Sequence, residues 1–530
     1  MDRCSPTAME VCSATSGEIL LRLPAEEVAG RLVKDVKDLL CPQLGVSRFR
    51  QRLLDANLAL MEDVIRLDIV PPRIQVITLP FNPCPTHQDI LRCLNAAKNN
   101  DLATVQTMLT AALDPNTALK QWWQEDTPLH VAAREQHDSM IQLLLEACAD
   151  VIADSKPMCI ASMNGDIDTV RLLVARGASV NAGNPLSEAA GYGHVDVVRY
   201  LLGAGADMNS HEGNSATPLL QAVLRDHSKV VDILLAARAN VNLGTTDGST
   251  PLMEAASKDP PLPLLKTLLD AAADVNHADK TGFTALLAAA YTNNHETVKM
   301  LVEARADVNM FDEDLGKPLH VAAGNHHHSI IQLLLEGDAD VTADIQPMNI
   351  VAETGDIETA RLLVAKGASV NAGNTLGEAA NRGHADLVRY LLGAGAEKNS
   401  HEGYSYTPLL EAVIERRFDV VDILLEAKAN VNLGTAEGFT PLMQAACRDQ
   451  PLLKALLDAA ADVNQADKTG DTALLEAAMN NNYEAVRLLV QARAIINVVN
   501  DDIETPLFYA AAHNNAAMFS FLIERGAHVH

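Results

Sequence analysis

From about residue 88 onward the chain repeats a single alternation of apolar and polar positions, and each copy predicts the same pair of short helices. The copy opening at Thr127 reads TPLHVAAREQHDSMIQLLLEACAD. Thr127 suits a helix N-cap and Pro128 the first turn, where a missing N–H costs nothing. Ala132 and Ala133 are small enough to let a neighbouring helix approach closely. The leucines at 143–145 belong to a second helix that faces its neighbours. Gly177 and Gly205 supply the left-handed residue that closes such a helix. A segment then projects sideways as a finger before the next Thr-Pro. No unit of this kind can bury its apolar face alone, so stability must come from stacking.

Related segments open at Lys156, Asn184, Thr217, Thr250, Thr284, Lys317, Gln346, Asn374, Thr407, Thr440, Thr472 and Thr505. A longer period overlies the short one: the starts from Thr127 to Thr250 recur 190 residues later as Lys317 to Thr440. RLLVARGASVNAGN at 171–184 matches 361–374 at all but one position, which marks the duplication of a block of six units. Two junctions in each block are short, at Lys156 and Asn184 and again at Gln346 and Asn374. Their fingers are expected to be stunted.

The TPLH start and a spacing near 33 residues are the signature of ankyrin repeats, and residues 88–530 resemble that family. The resemblance implies an α-solenoid of about 13–14 stacked helix-turn-helix repeats. A degenerate capping repeat would occupy 88–126, block one 127–316, its duplicate 317–504, and a terminal repeat 505–530. It also implies that partner proteins are held by finger tips and first-helix faces on the concave side.

Residues 9–81 follow another pattern. MEVCSATSGEILLRLP alternates around Ser16-Gly17 as a hairpin, and Val28, Leu32, Val36 and Leu39 mark one face of a helix over 26–40. QRLLDA at 51–56 and RIQVITL at 73–79 are further strands. Hairpin, helix, strand and strand resemble the ubiquitin-like β-grasp fold, in which Leu54 and Ile77 would join the hydrophobic interaction patch. Pro80-Phe81-Asn82-Pro83 stands where conjugating members carry Gly-Gly, so the resemblance implies a built-in adaptor and not a covalent modifier. Residues 1–8 are expected to be a disordered N-terminus and 82–87 a linker.

Composition sharpens the expected function. The formal charge of −28 falls almost wholly after residue 86, where 58 acidic residues face 31 basic ones. Such a surface repels nucleic acid and acidic lipid and favours partner proteins with basic surfaces. No stretch of 18 apolar residues suggests membrane insertion. The eight cysteines are scattered singly, as expected of reduced thiols in the cytoplasm or nucleus. No phosphate-binding, dinucleotide, nucleophile-elbow or zinc-protease motif is present, so neither an enzyme nor a cofactor is expected. Among metal candidates His326-His327-His328 comes nearest, but His327 aligns with the turn histidines His137, His194 and His384. A hydrogen-bonded turn is the expectation there.

In a chain with 4% aromatics, those placed at the fingers are the candidate partner anchors. Phe283, Tyr406 and Phe439 stand just before a unit start, with Phe311 and Tyr404 nearby. Trp122 and Trp123, the only tryptophans, precede the first full repeat. Asp312-Glu313-Asp314 and Asp501-Asp502 are acidic fingers, read either as hooks for Lys or Arg or as solvated turns. The terminal repeat adds Phe508, Tyr509, Phe519 and Phe521 and carries only two charges after Thr505, so part of its outer face is expected to be apolar. The chain is then expected either to self-associate through this end or to be a shortened version of a longer array. The leading expectation is a non-enzymatic protein–protein interaction scaffold. The alternative is a ubiquitin-pathway adaptor whose head docks a receptor while the repeats hold a client.

Overall fold

Threonine starts become helix starts in the computed structural model. It describes residues 85–528 apart from 122–123, 153, 212–215, 259–262 and 401–405, together with 8–13, 19–24, 36–37, 51–54 and 73–78. Among the described residues, fourteen helix pairs run from His87–Lys98 to Ala516–Glu524. The Oγ1 of Thr127, Thr217, Thr407 and Thr440 each accepts the backbone N–H three residues on, and proline fills the first helical turn. First helices stack on first helices and second helices on second helices. The small residues at the first-helix positions make this possible. Ala132, Ala222, Ala289, Ala412 and Ala477 are fully buried.

The chain divides into two compact units, Met1–Ala255 with Lys266–Ala273 and Ala256–Leu265 with Asp274–His530. Within each, two polar ladders tie repeat to repeat. The turn histidine between paired helices donates to a carbonyl of the preceding repeat. His194 Nε2 reaches Met163 O at 2.8 Å in the first unit, and His384 Nε2 reaches Glu353 O at 3.0 Å in the second. Asn294 and Asn482 make the same bond where histidine is absent, at 2.7 and 3.0 Å. At the finger bases, an asparagine Oδ1 accepts the backbone N–H of the next repeat, as Asn181 does from Asp207 and Asn309 from Asp340, both at 2.8 Å. These bonds satisfy backbone groups that stacking removes from water.

The stunted fingers are present. Only residues 147–155 and 176–184 separate helices at the short junctions, against 204–217 at a full one. Residues 337–345 and 366–374 repeat this in the second unit. Gly177 and Gly205 adopt the expected left-handed conformation, at φ 89° in both.

The N-terminal strands are β1 (Ala8–Ser13), β2 (Ile19–Pro24), β3 (Gln51–Leu54) and β4 (Arg73–Thr78), in the order β2-β1-β4-β3. β1 and β2 pair antiparallel, β1 and β4 parallel, and β3 and β4 antiparallel. Except for 36–37, the helix expected over 26–40 lies outside the described residues. A second hairpin, β5 (Leu119–Gln121) and β6 (Gln124–Asp126), precedes Thr127.

Candidate partner-binding surface

A finger in the second unit is a tight hairpin built by its own side chains. The Asp279 N–H donates to the Phe283 carbonyl at 3.0 Å, and Asp279 Oδ1 accepts the N–H groups of Thr281 and Phe283 at 2.9 Å. Thr435 and Phe439 repeat the arrangement, with the Phe439 N–H on Thr435 Oγ1 at 3.1 Å. Successive tips are joined by backbone bonds: Glu313 N–H to Thr281 O at 3.0 Å, Lys468 N–H to Glu437 O at 2.8 Å, and Asp501 N–H to Thr469 O at 2.9 Å. Contact is close at Gly282, where φ is +96° and a β-carbon would stand 2.2 Å from Phe311 O. The tips are therefore a pre-ordered surface, and binding there loses little conformational entropy.

The candidate aromatics take unequal places on it. Phe311 is 58% exposed and Tyr406 37% exposed, whereas Phe283 and Phe439 are half-buried with their backbones pinned. Glu313, Asp314, Asp501 and Asp502 are exposed. Asp312 is not a hook: it is buried, and its Oδ1 accepts the N–H groups of Asp314 and Leu315 while Thr281 Oγ1 donates to its Oδ2 at 2.9 Å. It builds the finger on which its two acidic neighbours stand. Trp122, Trp123 and Tyr404 lie outside the described residues, as do the side chains of Leu54 in β3 and Ile77 in β4.

Beside the tips runs a feature the sequence reading missed. The fifth residue of successive units is Glu378, Glu411, Gln444 and Glu476, each half-buried on a first helix. Burial pushes the Glu411 carboxyl above its usual range, with Glu378 and Glu415 adding repulsion against a 2.8 Å bond from Asn381 Nδ2. Burial likewise raises Glu476, helped by Asp471 and Asp467. Cys447, 3.5 Å from Glu476 Oε2, is pushed up to about 12 by burial and by that carboxylate, so it is an inert thiol and not a nucleophile. A Lys or Arg brought against this row would relieve repulsion and take up a charge already partly desolvated. The spacing of the row was visible in the sequence; its burial was not. Tyr291 and Ile503, 58% and 82% exposed, also went unnoticed.

His130 and His320, the TPLH histidines, are structural. Their Nδ1 atoms accept the N–H of Thr127 at 2.8 Å and of Lys317 at 3.1 Å. His327 is the expected turn histidine, with Nδ1 on Ala290 O at 3.0 Å. His326 and His328 turn the other way, toward Asp356.

Paired helices, pinned fingers and stacked first-helix faces define a helical-repeat protein of the kind that presents an extended surface. The family model described as ankyrin repeats (3 copies) matches residues 94–184, 186–279, 259–345, 376–467 and 442–530. The chain belongs to the ankyrin-repeat family, whose repeats generally mediate protein–protein interaction and are generally non-enzymatic. No curated protein matches it as a relative. No helix of the described residues is long and apolar enough to cross a membrane.

Proposed function

We propose that this chain is a non-enzymatic scaffold that binds partner proteins through a basic segment laid along the finger tips and first helices of residues 274–530. The observation that carries this reading is the pair of half-buried first-helix acids Glu411 and Glu476, whose carboxyls burial raises, in the same unit that exposes Phe311 and Tyr406. Aromatics would anchor the partner, and the acidic groups, with Glu313, Asp314, Asp501 and Asp502 at the tips, would select and steer a basic one. The sign of the charge disfavours nucleic acid in this role, and a cytoplasmic or nuclear setting suits the scattered cysteines. The test is affinity capture with the full chain and with a Glu411→Gln, Glu476→Gln, Tyr406→Ala variant. Proteins retained by the former and lost by the latter, with lysine- or arginine-rich binding segments, support the proposal. An unchanged set of captured proteins refutes it.

A second reading concerns residues 9–81 as a ubiquitin-like adaptor, with Leu54 and Ile77 in its docking patch. The strand order β2-β1-β4-β3 supports it, since the hairpin and the two later strands fall into one mixed sheet. Capture with Leu54→Asp, Ile77→Asp chains would separate partners of this head from those of the repeats.

A further inference from the structure

His326 and His328 stand two residues apart at the turn leading into helix His328–Glu336, and both reach into the next repeat. His326 Nδ1 lies 3.0 Å and His328 Nε2 2.7 Å from the same atom, Asp356 Oδ2. All three ligand-capable atoms fall within 4.8 Å of one another. The histidine side chains are 50% and 47% exposed and Asp356 only 6%, so the group is open on one side and anchored on the other.

Asp356 is held in place by its second role. It caps helix Ile357–Ala365, with Oδ1 accepting the N–H groups of Glu358 at 3.1 Å and Thr359 at 3.2 Å, while Thr359 Oγ1 donates to Oδ2 at 2.7 Å. Bonds of this kind orient a ligating carboxylate in metal sites. His327, between the two histidines, is tied to Ala290 O, which fixes the turn.

The duplication supplies an internal comparison. The positions equivalent to His326, His328 and Asp356 are Gln136, Asp138 and Asp166, in the other copy of the block. Asp166 caps its helix in the same way, through the Thr169 N–H at 3.0 Å. There burial, with the charges of Asp166 and Asp168, pushes the Asp138 carboxyl up. One copy thus keeps the capping aspartate beside another acid, and the other keeps it beside two imidazoles.

We infer that His326, His328 and Asp356 form a binding site for a borderline divalent transition-metal cation such as Zn2+. Two imidazole nitrogens and one carboxylate oxygen match the ligands zinc takes, and they favour it over Mg2+ or Ca2+, which need oxygen shells. With bonds of about 2.0–2.1 Å, ligands of a tetrahedral site stand about 3.3 Å apart. The observed 2.7 and 3.0 Å therefore need open by only a few tenths of an ångström, through side chains that are half in solvent. Each histidine would ligate through the nitrogen now facing Asp356 and carry its proton on the other, outward one. Water would complete the shell on the open side. The surrounding charge of −28 favours any cation.

The experiment is isothermal titration of the full chain with Zn2+, repeated with Co2+ and followed by visible absorption. The His326→Gln, His328→Asp variant installs residues that the duplicate turn already carries, so its fold is preserved. Asp356→Asn keeps an oxygen for the helix cap. We expect the unmodified chain to bind one equivalent more than the double variant, whose affinity at the site falls at least about 100-fold. Asp356→Asn is expected to lose at least about tenfold, since even outer-shell partners are worth 10–100-fold. Circular dichroism verifies folding, and single His326→Gln serves if the double variant unfolds. Equal stoichiometry and affinity in the chain and its folded variants would overturn the assignment and leave two histidines that merely neutralise a buried aspartate.

Discussion

The ring of His194 occupies the space that a β-carbon on Gly165 would need: such an atom would stand 2.4 Å from His194 Nδ1. Gly165 closes its helix at φ +73°, and His194 Nε2 donates to Met163 O two residues before it. Gly355 and His384 repeat the arrangement, with 2.5 Å to Nδ1. Backbone turn and inter-repeat bond are thus one device. Gly355→Ala is expected to destabilise the chain by about 1–3 kcal/mol, from left-handed strain and a displaced ring. Urea unfolding of wild type and variant measures it, and an unchanged midpoint would show that the ring moves aside at no cost.

Buried neutral histidine makes a second prediction. His130 is wholly buried, its Nδ1 accepts the Thr127 N–H, and Nε2 lies 2.9 Å from Asp154 Oδ2 without the alignment of a hydrogen bond. Burial lowers its pKa below the ordinary value, against the pull of Asp154 and Asp126. The unfolded chain therefore binds this proton more readily than the folded one. The stabilisation is complete above about pH 6.5 and is lost as pH falls below it. His130→Leu, the residue found at the equivalent Leu220 and Leu410, should flatten the decline of unfolding free energy between pH 7 and pH 5. A decline of the same slope in both proteins would assign it to other groups.

Asp344 moves stability in a lower window. Burial raises its pKa, but the Lys317 ammonium at 2.8 Å, the Gln346 N–H and His320 outweigh that and hold the carboxyl below its ordinary range. Its contribution is present above about pH 4 and disappears only as the pH falls further. Lys317→Thr, restoring the usual start residue, should make unfolding set in at higher pH on acid titration, read by circular dichroism.

These contacts show how far the sequence could be read. Helix starts at Thr127, Thr217, Thr407 and Thr440 are local: cap, proline and apolar period lie within a few residues, and each appears where expected. The stunted fingers are equally local, since a missing stretch shortens a connection whatever surrounds it. Contacts made by stacking are not legible in this way. Asp356 lies about one repeat from His326 and His328, and no spacing rule joins them until the turn of one unit meets the cap of the next. Asp312 misled for the opposite reason: three successive acids read as one exposed cluster, but the first is consumed in building the turn. Glu411 and Glu476 recur periodically in the sequence, yet their raised carboxyls follow from burial, which periodicity does not measure.

Anchoring by aromatics carries its own test. With a partner from the capture experiment in hand, Tyr406→Ala and Phe311→Ala should each weaken binding by about 1–2 kcal/mol, with the melting curve unchanged because both side chains are exposed. Phe283→Ala and Phe439→Ala should lower stability as well, since they are half-buried at the finger bases. Raising the salt concentration should slow association more than it speeds dissociation, as expected of steering by the acidic tips. Salt-independent association would remove the electrostatic part of the proposed function.

The last repeat bears on self-association. Its helices Pro506–Ala512 and Ala516–Glu524 bury Leu507, Ala510, Met518 and Leu522 against the preceding repeat. Phe521 meets Tyr483 edge to face at 5.9 Å, with Arg525 over its ring at 5.3 Å, so this aromatic is held by packing. Phe508 is 51% exposed and Ile523 38%, and Ala511, Ala512, Ala516 and Ala517 are exposed between them. We propose that this apolar face, with few charges to interrupt it, can serve as a contact between two copies of the chain. Sedimentation equilibrium is expected to show reversible dimerisation that Phe508→Glu removes while the helix content stays constant. Phe521→Glu should instead loosen the terminal repeat and lower its unfolding temperature. A chain that remains monomeric at every concentration tested, with Phe508→Glu indistinguishable from it, would show that the face is simply tolerated in water.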